Sequence, residues 1–96
     1  MKMMMVVYHQ AADEYIVDAF KQAGIRAYTK MIECRGEGME TEPKLGTHIW
    51  PGKNNILILA LQDEEVPVVT RLIRRLKADH PRAGLKGFCL PIEETI

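Results

Sequence analysis

The sequence has no excess of charge of either sign. Its 13 lysine and arginine residues balance its 13 aspartate and glutamate residues, and its isoelectric point is near 6.8. Domains that bind nucleic acids usually carry a basic surface, so we expect no nucleic-acid partner. No apolar run approaches the roughly 20 residues that a membrane-spanning helix needs, and the first residues lack the features of a signal peptide. We therefore expect no membrane insertion.

Cysteine is also scarce. Cys34 and Cys89 are the only two, and they form no CxxC pair. Because structural disulfides are rare in the cytosol, we expect reduced thiols and a cytoplasmic protein. The 96 residues, 47% of them hydrophobic, are enough for one domain spanning residues 1–96. A core of this size is modest, and self-association would add buried area.

Hydrophobic periodicity predicts six elements in the order βαββαβ. Strands are expected over residues 2–9, 26–35, 54–62 and 85–92, and helices over residues 11–23 and 63–80. The first helix should end at Gly24 and turn one apolar face to the core, formed by Tyr15, Ile16, Ala19, Phe20 and Ala23. The inner face of the second helix should consist of Val69, Leu72, Ile73 and Leu76. This order predicts an α+β, ferredoxin-like fold, in which a four-stranded antiparallel sheet carries both helices on one face. The other face is then left uncovered, which favours an oligomer that packs sheet to sheet. Half-exposed residues on that face should include Met3, Met5, Ile58 and Ala60.

One long segment, residues 36–53, shows no periodicity. It holds the only tryptophan, Trp50, and a histidine, His48, between two glycines. It is longer than a simple connection requires. We interpret Trp50 as a lid over a ligand or as an aromatic anchor for a partner. A hydrophobic plug without a ligand is the alternative.

Three stretches resemble the PII nitrogen-regulatory family: AGIRAYT (residues 23–29), CRGEG (residues 34–38) and GFCLPIEETI (residues 87–96). They occur in the family's order and span most of the chain. The resemblance implies a homotrimeric signalling protein, not an enzyme, that binds adenine nucleotides in clefts between subunits, often with 2-oxoglutarate. It also implies that residues 36–53 are a shortened T-loop, the segment through which family members regulate a target protein.

The resemblance places ligand-binding residues in the loop and in the turn PRAGLKG (residues 81–87). They are Arg35, Gly36, Gly38, His48, Trp50, Lys86 and Gly87. Each glycine stretch has a plainer interpretation, namely a strand end that needs positive φ and a helix-to-strand turn with solvated charges.

The sequence also departs from the family pattern. The tyrosine that the family modifies by nucleotidylation has no counterpart between residues 36 and 52, and Met39 replaces a ligand-binding glutamine. The phosphate-binding G-D-G-K turn is reduced to AGLKG, and the basic segment that follows the last strand has no counterpart. We therefore expect ATP, ADP or AMP to bind more weakly than in typical members.

A metal-binding protein of the copper or zinc tolerance type is the alternative function. His48 and Cys34 offer ligands that suit zinc or a cuprous ion, but they lack the spacing of a metal motif. A buried cysteine more often acts as a small hydrophobic residue. Cys34 and His48 could meet across the loop as nucleophile and base, but nothing fixes a third group beside them, which agrees with a non-enzymatic function.

Overall fold

A computed structural model describes residues 1–37 and 52–96. Its strands are β1 (Lys2–His9), β2 (Thr29–Cys34), β3 (Asn54–Leu61) and β4 (Lys86–Pro91), and its helices are α1 (Asp13–Gln22) and α2 (Glu65–Asp79). Short 3-10 turns, Gln10–Ala12 and Pro81–Ala83, precede α1 and β4. The strands form one sheet in the order β2-β3-β1-β4, with every neighbouring pair antiparallel. The predicted ferredoxin-like βαββαβ fold is confirmed.

The core lies between the helices and one face of the sheet. Alternation along β1 buries Met4, Val6 and Tyr8, and the same alternation along β3 buries every second residue from Asn55 to Leu61. In α2, apolar residues at three- and four-residue spacing turn one stripe to the sheet. That stripe is fully buried, as predicted, and consists of Val69, Leu72, Ile73 and Leu76. No helix in the described ranges is long and apolar enough to cross a membrane.

The boundaries of the first half differ from the prediction. The second strand was expected over residues 26–35 but spans only Thr29–Cys34, and its register against β3 shifts between Met31 and Cys34. Helix α1 begins at Asp13 rather than at residue 11, since residues 10–12 form a 3-10 turn that His9 caps through Nδ1.

The buried stripe of α1 was also predicted imperfectly. Ile16 and Phe20 are buried as expected, but Val17 is buried too, whereas Ala23 is exposed. Ala23 falls outside the stripe because the helix has already ended. Gly24, the predicted stop, takes φ of 85°, a left-handed conformation that favours glycine.

The face of the sheet opposite the helices is apolar and uncovered. As predicted, Met3, Met5 and Ile58 are half-buried there, and Ala60 is exposed. We call this surface the open face. Cross-strand pairing shows which apolar residues share it, namely Met3, Met5, Val7, Met31, Ile56, Ile58, Ala60, Phe88 and Leu90. Phe88 is 48% exposed and Leu90 44%. The trimer itself stays a prediction.

Candidate functional site

The connections of the fold converge at one end of the sheet. β1 ends at His9, which lies opposite Asn54, the first residue of β3. Asn54 in turn pairs with Cys34, the last residue of β2. On the other side of β1, Val7 pairs with Lys86, the first residue of β4. We call this the loop end of the sheet, because the chain enters and leaves residues 36–53 there.

Arg35 and Gly36 follow β2 directly at the loop end. The Arg35 side chain is exposed, and Gly36 is half-buried. A Cβ atom on Gly36 would lie 3.4 Å from Asn54 Nδ2, at the edge of ordinary van der Waals contact with one side chain of β3. Gly36 does not take a positive φ, so the plainer interpretation of this glycine, as a strand end that needs positive φ, is wrong. Glu33 takes the left-handed conformation instead, with φ of 58°, within the irregular register at the end of β2.

Lys86 and Gly87 have different environments although they are adjacent. Lys86 is exposed at the start of β4. A Cβ atom on Gly87 would lie only 2.9 Å from Ile73 Cδ1 and 3.6 Å from Met4 Sδ. The glycine at position 87 therefore has a packing role beneath α2. Gly84 completes the turn with φ of 63°, so residues 81–87 form the helix-to-strand turn of the plainer interpretation.

A partly buried polar network behind the loop end was missed by sequence reasoning. The Asp13 carboxylate accepts hydrogen bonds from Tyr8 Oη at 2.6 Å, Lys30 Nζ at 2.9 Å and Asn55 Nδ2 at 3.1 Å. Tyr8 and Asn55 are 0% and 5% exposed. Asn55 Oδ1 is buried and has no partner in the described part of the chain. The signal in the sequence was weak: one tyrosine and one asparagine at inward positions of apolar strands.

The network changes the titration of its two acidic members. Burial acts to raise the pKa of Asp13, but the hydrogen bonds from Tyr8, Lys30 and Asn55 outweigh it and hold the pKa below its ordinary value. Burial, together with the adjacent Asp13 carboxylate, raises the pKa of the Tyr8 hydroxyl far above its ordinary value. Asp13 is therefore ionised and Tyr8 neutral at physiological pH.

An open cleft of about 430 Å³ lies at the same end, between the β1–α1 and α2–β4 junctions. We call it the junction cleft. The rings of Tyr15 and His80 stack in its wall, with centroids 4.1 Å apart and planes tilted by 31°. Its full lining is His9, Ala11, Ala12, Tyr15, His80, Pro81, Arg82 and Ala83.

Of the two predicted metal ligands, the structure describes only Cys34. Cys34 is half-buried, and its Sγ lies 3.8 Å from the Ile32 carbonyl oxygen. Cys89 lies in the opposite edge strand, and both thiols are free. Residues 1–37 and 52–96 contain no group of three or more metal-ligating side chains. Gly38, His48 and Trp50 lie outside the described residues, so a metal site at His48 and Cys34 stays a prediction.

Comparison with known proteins supports the fold. No protein-family model and no curated protein matches the sequence. One solved structure that matches is that of CPII from Thiomonas intermedia K12, a nitrogen regulatory PII-like protein bound to ADP, AMP and bicarbonate. The match has a TM-score of 0.70 and 19% identity, and it covers 92% of this chain and 81% of CPII. A candidate PII-like signalling protein from Thermus thermophilus matches with a TM-score of 0.61 and 24% identity over 92% of this chain and 81% of its own.

A further CPII structure, bound to ADP, AMP and acetate, matches over 99% of this chain and 88% of CPII, with a TM-score of 0.69 and 17% identity. Identities this low establish the shared fold alone. The chain therefore has the fold of PII-like proteins, as the sequence resemblance predicted.

Proposed function

We propose that this chain is a divergent PII-like regulatory protein that binds an adenine nucleotide in clefts between the subunits of a homotrimer. The observation that carries the proposal is the likeness of its fold, over 92% of its length, to CPII, whose structures hold ADP and AMP. The role is non-enzymatic and, by the same likeness, belongs to signalling, with nitrogen regulation as the first pathway to examine. A cytoplasmic location agrees with its two free thiols.

The open face supports self-association. Met31, Phe88 and Leu90 are 38%, 48% and 44% exposed on a surface with few polar groups. Large exposed apolar patches on small proteins usually mark interaction sites. A homotrimer that packs these faces together would bury them and bring neighbouring loop ends close together. Light scattering should give a mass near three times the 10.9 kDa of one chain, and a single-chain mass at micromolar concentration would contradict the trimer.

Two cations at the loop end support an anionic ligand. Arg35 follows β2 beside the start of β3, and Lys86 begins β4. β3 and β1 lie between β2 and β4, so strand spacing puts the strand that Arg35 follows roughly 14 Å from the strand that Lys86 begins. A nucleotide diphosphate or triphosphate chain can approach both side chains across this distance.

Calorimetry with ATP, ADP and AMP tests the nucleotide site. Arg35→Gln and Lys86→Gln should each weaken binding by about tenfold or more, because a hydrogen bond to a charged group contributes about 1.5–3 kcal/mol. Lys77→Gln, an exposed lysine on α2, is the matched control and should change nothing. Absence of binding at millimolar nucleotide would overturn the proposal. Submicromolar ATP affinity would instead refute the predicted weakening of the site.

Residues 36–53 are proposed to contact the target protein, with His48 and Trp50 as the contact residues. Because Trp50 is the only tryptophan, its fluorescence reports on this segment without interference. A change on addition of nucleotide, with none on addition of copper or zinc, is expected. The reverse response would favour the metal-binding alternative. Trp50→Ala should impair ligand or partner binding more than it lowers the melting temperature, since an anchoring aromatic contributes about 2 kcal/mol or more to an interface.

A further inference from the structure

The junction cleft has the volume of a small-molecule site. Ligand pockets in proteins usually enclose about 300–1,000 Å³, and the cleft measures about 430 Å³. Its deepest lining residues, Ala12 and Ala83, are small and belong to the hydrophobic core. The cleft lies between the start of α1 and the end of α2, in the helix layer. Packing of open faces against each other would therefore leave it accessible.

The wall of the cleft presents a stacked pair of rings. Tyr15 packs against the core on one side, which fixes it in place. His80 stacks on it and stays half-buried. Flat aromatic side chains favour offset stacking with other rings. A planar ligand can extend this pair, with Ala12 and Ala83 as an apolar floor.

The charge of the lining selects an anion. Among the described residues that line the cleft, Arg82 alone carries a permanent charge, and none is an aspartate or glutamate. Arg82 is exposed and makes no hydrogen bond or ion pair with any residue of ranges 1–37 and 52–96. A guanidinium group is well suited to bind a carboxylate through two parallel hydrogen bonds.

We infer that the junction cleft is a second ligand site, separate from the proposed nucleotide site, which binds a small planar aromatic carboxylate. The ring of the ligand stacks on the Tyr15–His80 pair. Its carboxylate pairs with Arg82 at the rim. The inference rests on the aromatic pair, the unpartnered cation and the apolar floor, and it is independent of nucleotide binding.

The test uses the full chain and three probes in an NMR shift titration. 2-Naphthoate carries both recognised features, 2-naphthamide lacks the charge, and decalin-2-carboxylate lacks the aromatic ring. We expect 2-naphthoate to shift signals of Tyr15 and His80 and to bind about tenfold or more tightly than 2-naphthamide, which lacks the charge-assisted hydrogen bonds. Decalin-2-carboxylate should also bind more weakly. No shift at millimolar 2-naphthoate, or shifts confined to another surface, would overturn the inference.

Variants separate the two contacts. Arg82→Gln should weaken the binding of 2-naphthoate by about tenfold or more and leave the affinity for 2-naphthamide unchanged. The matched control is Arg74→Gln, which replaces an exposed arginine of α2 and should alter neither affinity. His80→Ala should weaken both probes. Because His80→Ala also loses packing against Tyr15, His80→Phe serves as the second test. It keeps an aromatic ring at this position and should therefore bind both probes as the parent chain does. Equal affinity of Arg82→Gln and the parent chain for 2-naphthoate would refute the site.

A competition experiment distinguishes this site from the proposed nucleotide site. Saturating ADP should leave the 2-naphthoate titration unchanged. Displacement of 2-naphthoate by ADP would place both ligands in one site and would overturn the inference of a second one. Failure of ADP to bind, with 2-naphthoate still bound at Tyr15 and His80, would refute the proposed function alone.

Discussion

Asp13 should contribute more to stability than other surface-accessible carboxylates of this chain. Its replacement by alanine leaves the hydroxyl of Tyr8 and the amide of Asn55 without their acceptor, and these residues are 0% and 5% exposed. An unsatisfied buried donor costs about 1–3 kcal/mol. Lys30 returns to solvent, because its ion pair with Asp13 is accessible and contributes little. We expect Asp13→Ala to lower the free energy of unfolding by about 3 kcal/mol, with water entering part of the vacated space.

Equilibrium urea unfolding at neutral pH measures this loss. All variants must be compared at one protein concentration, since self-association makes stability depend on concentration. Asp18→Ala is the matched control, because Asp18 lies on the exposed side of the same helix and should cost less than about 0.5 kcal/mol. If Asp13→Ala costs no more than Asp18→Ala, the network does not stabilise the fold as argued.

Acid provides an independent check of the same network. The pKa of Asp13 is lower in the folded protein than its ordinary value. The unfolded chain therefore binds this proton first, and stability from Asp13 is present above the ordinary pKa near 4. That stability is lost as the pH falls through the lower folded pKa. The difference in unfolding free energy between the parent and Asp13→Ala should therefore shrink progressively below about pH 4, and a difference independent of pH would contradict the cause assigned here.

Other substitutions test backbone, packing and assembly. Glu33→Gly should raise the free energy of unfolding by about 1 kcal/mol, because a residue with a side chain is strained in the left-handed conformation. The loss of its ion pair with Lys53 should cost little, since that pair is exposed. A lower stability in urea unfolding would contradict this prediction. Gly87→Ala should destabilise the fold by about 1 kcal/mol, because its new methyl group would contact Ile73. Nucleotide affinity, measured by calorimetry, should be unchanged. Unchanged stability together with weaker nucleotide binding would instead make Gly87 a binding residue. Phe88→Lys should reduce the mass found by light scattering, and an unchanged mass would exclude the open face as the interface.

The fold was predictable because its pattern is local. The spacing of Val69, Leu72 and Leu76 defines one helical stripe, and alternation from Met4 to Tyr8 defines one face of a strand. Both periods can be found in short windows of sequence. The end of β2 was not predictable in the same way. Its irregular register arises where it pairs with β3, and a window of sequence around β2 holds no information about that partner.

The candidate site was predictable only in part. Arg35 and Lys86 could be placed at one end of the sheet, because strand order fixes where each strand begins and ends. The Asp13 network could not, since its donors come from three different strands and have no spacing in common. The packing at Gly87 could not be predicted either. A glycine beside a lysine resembles an anion-binding turn, yet the space that a side chain would need is occupied by Ile73 from a distant helix.

The Asp13 network also bears on how a regulatory signal would travel. Lys30 belongs to β2 and Asn55 to β3, the two strands that residues 36–53 connect, and one carboxylate at the start of α1 holds both. Displacing β3 relative to α1 would break the hydrogen bond to the buried Asn55 amide and cost about 1–3 kcal/mol, whereas the pair of Lys30 with Asp13 is accessible and contributes little. β3 and α1 therefore keep their relative position when a ligand binds at the loop end. In the proposed function, the free energy of ligand binding is then directed to the contacts of residues 36–53 with the target rather than to a rearrangement of the sheet.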